Sequence, residues 1–142
     1  MKISWQAFIV DEQDFFKISS SGGTNCSTAF ELALSHMQIN HPPENWNNYV
    51  FEFSDGDNWG EDNNLCIQYI EKLLPLCTAI GYGEISRGSW NGIEVETLYD
   101  ILKSKIKRTR FVSLKIKSKD EVFDALRAFF NIDGISKKEK NV

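Results

Sequence analysis

From residue 25 onward the apolar residues of this chain switch back and forth between a helical and a strand period, and that alternation most constrains its fold. Cys26, Ala29, Phe30, Ala33 and Met37 recur at helical spacing, and His41-Pro42-Pro43 stops the helix they predict. Tyr49-Val50-Phe51-Glu52-Phe53 is the strongest strand, rich in aromatic residues. A helix starting at Glu61 or Asp62 carries Cys66, Tyr69, Ile70, Leu73 and Leu74, with an end or kink at Pro75. Ala79–Ile85 reads as a strand, whose Gly81 and Gly83 mark either a bulge or a helix packed close against it. Val95, Leu98, Tyr99, Leu102 and Ile106 predict another helix, and Phe111–Ile116 alternates as a strand. Ser118 and Glu121 are spaced as a capping box for a last helix bearing Val122, Phe123, Leu126, Phe129 and Phe130. Strands alternating with helices predict an α/β three-layer sandwich, with a mostly parallel central sheet and helices on both faces.

Ahead of this pattern, residues 3–9 and 15–18 read as two short strands joined by a polar turn at 10–14, a possible hairpin, and residues 19–23 as a loop. The expected domain covers residues 1–134, with a disordered tail at 135–142 rich in lysine. A chain of 142 residues, 42% apolar and 25% charged, is one globular domain with a core large enough to need no disulfides. Cys26, Cys66 and Cys77 are odd in number, form no C-x-x-C pair and fall on apolar helical faces. They read as core thiols in a reducing cytoplasm, not as a disulfide framework or a zinc site. No apolar run reaches membrane-spanning length, so no membrane partner is expected.

The net charge of −4 argues against a nucleic-acid partner. Lys103, Lys105, Lys107, Arg108 and Arg110 do cluster, and read as a solvated rim at a helix C-terminus. His36 and His41 read in the same way, as cations near a helix end. Trp46, Trp59 and Trp90 fall in loops. Trp59 leads them as a partner contact because it adjoins the acidic turn described next.

That turn is Ser54-Asp55-Gly56-Asp57-Asn58, directly after the strongest strand. In parallel sheets ligands bind beyond the carboxyl ends of the strands, which puts Asp55 in the expected crevice. Two carboxylates within three residues, followed by an Asn, offer oxygen ligands to a hard cation. The same residues are also ordinary turn formers and helix caps, and this plainer reading stands beside the first. An EF-hand counted from Asp55 would place Trp59 and Cys66 at ligand positions, so it is discounted. Ser21-Gly22-Gly23-Thr24 leads into a helix N-terminus, which suits an anion, but lacks the G-K-[ST] end of a phosphate loop. A structural domain with a dead site is one alternative, and a phosphohydrolase using Asp55 and Asp57 with a metal ion is another. It needs a lysine and further acids at the same crevice, which the sequence alone does not identify.

The ordered run Asp11-Glu12, Phe15-Phe16, Ser21-Gly22-Gly23-Thr24, Ser27-Thr28-Ala29, Asn45-Trp46-Asn47, Ser54-Asp55-Gly56-Asp57-Asn58-Trp59, Leu65-Cys66 and Lys72-Leu73-Leu74-Pro75 resembles the C-terminal part of the bacterial YeaH/YhbH family. The resemblance is close over residues 7–86 and looser beyond. That family is similar to von Willebrand factor A domains, which bind magnesium or manganese through three loops and receive a carboxylate from a protein partner at the metal. The resemblance implies a non-enzymatic interaction domain linked to stress or sporulation, with a serine kinase of the same pathway as a possible partner. By position it implies Thr24 for the second metal loop, Asp55 for the third, and Asp57 as an acid peculiar to this family. Ser54, Asn58 and Trp59 are then expected to face the partner. The Asp-x-Ser-x-Ser loop of the first strand has no counterpart in this sequence, so the cation is expected to bind weakly or not at all. The missing strand would also leave a sheet edge open, which predicts a homo-oligomer or a heteromeric complex.

Overall fold

A computed structural model describes residues 7–17, 25–86 and 95–130. Within them lie α1 (Glu12–Phe15), α2 (Cys26–Asn40), β1 (Tyr49–Ser54), α3 (Gly60–Leu73) with a 3-10 turn at Leu74–Leu76, β2 (Ala79–Ile85), α4 (Leu98–Lys105), β3 (Phe111–Ile116) and α5 (Glu121–Phe129). The three strands form a parallel sheet in the order β1-β2-β3. Helices cover both faces, as the alternating pattern predicts.

The register explains how each face is filled. Val50, Glu52 and Ser54 lie beside Ile80, Tyr82 and Glu84, and these beside Phe111, Ser113 and Lys115. Apolar members of this face join Cys26, Phe30 and Leu34 of α2, Cys66, Ile70 and Leu73 of α3, and Leu98 and Leu102 of α4 in one buried core. On the opposite face, among the described residues, α5 is the helix that packs against β2 and β3. Phe129 stacks on Phe51, with centroids 5.3 Å apart, and lies beside Phe53. A Cβ at Gly81 would sit 2.7 Å from the Phe129 ring. Of the two expectations for the strand glycines, Gly81 meets the close helix. Gly83 instead makes room for Phe53 and Ile116, the side chains of its neighbouring strands.

The N-terminal hairpin is a correction. Residues 12–15 form a helical turn and residues 7–10 no strand; residues 3–6 and 18 lie outside the described residues. The reason is local: the Asp11 carboxylate accepts the Asp14 N–H at 2.8 Å, an N-cap that outweighs the strand propensity of Phe15 and Phe16. The capping box is also relocated. Glu121 reaches back to the Lys117 N–H at 2.7 Å, and no Ser118 side chain caps α5. The complete box is Thr97 with Asp100 at the start of α4. The loop at 19–23, Trp90 and the 135–142 tail lie outside the described residues.

All three cysteines are free and buried. Burial pushes the Cys77 thiol up to about 11. Among the described residues no helix is long and apolar enough to cross a membrane.

Candidate functional site

The loop after β1 sits at the carboxyl ends of the strands and is tied down on several sides. Ser54 Oγ accepts the Gly56 N–H at 2.9 Å and shares a hydrogen bond with the Tyr82 hydroxyl at 2.9 Å. Asp55 Oδ1 accepts the Asp57 N–H at 3.2 Å. The Gly56 carbonyl accepts the Leu98 N–H at 3.3 Å, joining the loop to the start of α4. Asn58 Oδ1 accepts the Cys26 N–H of α2 at 3.2 Å, and its Nδ2 donates to Asn63 at 2.8 Å. Asp55, Asp57 and Trp59 are left facing solvent, Trp59 with 65% of its surface exposed.

Gly56 is required twice over. Its φ of +82° is left-handed, and an added Cβ would come 2.5 Å from the Glu84 carboxyl. That carboxyl cannot easily step aside. Glu84 is 3% exposed; it accepts the Tyr99 N–H at 3.0 Å and has Lys115 Nζ at 3.8 Å. Gly56→Ala is therefore expected to cost about 2 kcal/mol in urea unfolding, combining left-handed strain with the clash. A loss under about 0.5 kcal/mol, the scatter of neutral surface changes, would mean that the loop relaxes freely.

Lys115 bridges two acids, Glu84 and, at 3.3 Å, Asp100. The Asp100 carboxyl is held below its usual range, first by the Thr97 backbone N–H and then by the Thr97 hydroxyl and Lys115. The turn that carries Asp55 and Asp57 thus lies against Glu84, which Lys115 joins to Asp100. The last three were not singled out in the sequence. Glu84 is a charge in an otherwise apolar strand, the one signal that could have found it.

Beneath the crest lies a second polar layer. Asp62 is 5% exposed, and its carboxylate accepts both the N–H of Ser27, at 3.0 Å, and the Ser27 hydroxyl. The Cys66 thiol lies 3.5 Å from the same carboxylate. Asn25 makes no side-chain cap, so α2 takes its N-terminal acceptors from Asp62 and Asn58 across the fold. Next to them Glu52 holds one carboxyl oxygen with no hydrogen-bond partner. Burial foremost, with Asp62 nearby, pushes its carboxyl up to about 8. Burial likewise raises the adjacent Cys26 thiol to about 12, with Glu52 adding to the effect.

Of the residues expected at the site, Asp55, Asp57 and Trp59 are each exposed on the loop after β1. Ser54 turns inward to Tyr82 and Gly56, and Asn58 braces α2 and α3. Thr24 lies outside the described residues. Among the described residues no three His, Cys, Asp or Glu side chains are grouped to hold a metal ion.

Parallel strands, crossover helices and an acidic turn at the strand ends define an α/β domain with its candidate site on a loop crest. The chain belongs to the family of proteins of unknown function DUF444, which matches residues 3–133. It is 38% identical over 131 residues to a UPF0229 protein of Ruminiclostridium cellulolyticum, covering 92% of this chain and 32% of that protein. UPF0229 proteins of Halalkalibacterium halodurans and Bacillus thuringiensis are 38% and 37% identical over 125 residues, each match covering 88% of this chain and 31% of the relative. The chain thus spans about a third of the length of these curated bacterial relatives. No solved structure matches it significantly.

Proposed function

We propose that this chain is a non-enzymatic protein-interaction domain of the von Willebrand factor A type, with Asp55, Asp57 and Trp59 as its contact surface. The observation that carries the reading is the combination of exposed acids and an exposed tryptophan on a loop whose backbone is already fixed. A preorganised loop loses little entropy on binding, and a tryptophan is a favoured anchor. Magnesium or manganese would be held by Thr24, Asp55 and Asp57 if the resemblance extends to the metal. The described part of that set does not fit a complete site. It offers two carboxylates, the Ser54 hydroxyl is engaged elsewhere, and magnesium demands a near-octahedral oxygen shell. The contact proposed is therefore direct. The serine kinase suggested by the family resemblance is the first partner to try.

A photo-reactive phenylalanine analogue at position 59 should form a covalent adduct with a protein in cells. The same analogue at Asp124, an exposed position on α5, should not. The adduct should disappear in Asp55→Asn/Asp57→Asn. No adduct at 59, or one indifferent to the two acids, would sink the reading.

A metal-assisted phosphohydrolase is a second reading, favoured by one observation. The lysine and further acids that it needs have candidates in Lys115, Glu84 and Asp100, beside the same turn. Magnesium-dependent turnover of an aryl phosphate that is lost in Asp55→Asn would select it.

A further inference from the structure

The basic run of the sequence lies at the opposite end of the sheet from the acidic turn. Residues 103–110 carry five cations and no acid in a chain of net charge −4. They close α4 and lead into the start of β3, at the amino ends of the parallel strands. Two hollows adjoin there. One, of about 290 Å³, is walled by Pro43, Trp46 and Leu76. The other, of about 380 Å³, is walled by Leu74, Arg108 and Glu71. Pro75 and Arg110 line both, so they form the ridge between them.

The walls are stiff and the charges available. Trp46 is 53% exposed, yet its ring is set edge-on against His41 with centroids 4.7 Å apart. Pro43 and Pro75 add apolar surface with almost no side-chain entropy to lose. Arg110 spends one N–H on the Cys77 carbonyl at 3.4 Å, and no carboxylate among the described residues pairs with it. Arg108 meets Glu71 only in an exposed contact at 3.4 Å, a pair weak enough to exchange. Each hollow is near the lower limit of ligand clefts, about 300 Å³, and suits one large side chain better than a whole cofactor.

We propose that this double hollow binds an acidic peptide segment in extended conformation. A carboxylate of the peptide pairs with the Arg110 guanidinium, with Arg108 in support, and a proline or aromatic side chain lies against Trp46 and Pro75. Arginine suits the carboxylate because its planar fork pairs two oxygens at once. The otherwise acidic surface of the chain repels such a segment elsewhere, which confines it to the basic end.

A random peptide library displayed on phage and selected against the full chain tests this. Selected sequences should combine Asp or Glu with Pro or an aromatic residue. Their affinity should fall about tenfold or more in Arg110→Gln and in Trp46→Ala, and should weaken with salt. Asp55→Asn/Asp57→Asn should leave it unchanged, which separates this site from the crest. Thermal melting of Arg110→Gln and of the milder Trp46→Phe checks that the fold survives. Selected peptides without acids, or indifferent to Arg110, would overturn the proposal. So would an RNA oligonucleotide of equal charge that binds more tightly than the selected peptides.

Discussion

Glu52→Gln is expected to stabilise the chain above pH 8 by roughly 3 kcal/mol and to change little near pH 4.5. The acid sits under α2 and α3 with an orphaned carboxyl oxygen, and burial raises it from 4.5 to about 8. The sign follows from proton binding. Between those values the folded chain holds a proton that the unfolded chain has released. Stability therefore declines as pH rises through this window and levels off above it. The full displacement corresponds to roughly 5 kcal/mol at about 1.4 kcal/mol per pH unit, and water entering around the ionised group reduces that. Glutamine keeps the shape and removes the titration. Urea unfolding from pH 4.5 to 9 should show two curves that diverge upward in pH. Parallel curves would place Glu52 in water.

Asp62→Ala should be the most damaging single change at the site, with a loss of roughly 3–4 kcal/mol. It strips two acceptors from Ser27, which is 4% exposed, and leaves that N–H and hydroxyl without partners in the core. It also takes a negative charge from the N-terminus of α2, a further cost. Asp62→Asn keeps one carbonyl oxygen and should lose less than the alanine variant. The difference separates hydrogen bonding from charge. If both variants unfold within about 0.5 kcal/mol of the parent, Asp62 is not the cap of α2.

The strands and long helices were legible because their apolar periods are local. Cys26, Phe30, Cys66, Ile70 and Leu102 recur at helical spacing and all reach the core. The acidic turn was legible as well, since Gly56 and its flanking acids follow a clear strand. The layer below it was not. Glu52 stands between Phe51 and Phe53 as a solvent-facing residue of a strand would, and nothing local says that two helices cover it. Asp62 reads as a helix start, whereas its carboxylate serves Ser27, thirty-five residues earlier in the chain. Such pairings are set by the tertiary fold and leave no period in the sequence. At the N-terminus the error ran the other way. Two adjacent aromatics suggested a strand, and a single carboxylate, that of Asp11, settled the backbone into a helical turn.

The strand order β1-β2-β3 has a consequence for how the chain assembles. Tyr49 meets Ala79 and Ile80 meets Phe111, so each strand pairing closes a loop of about thirty residues, and none of the described strands can form a hairpin first as a local seed. The entropy of closure must be met before the sheet repays it, which slows the search for the native state. A transient stage with α3 formed and β2 still unpaired would expose the Leu73-Leu74 end of that helix. The slow step and the aggregation hazard of this fold therefore fall at the same moment, when the first crossover closes.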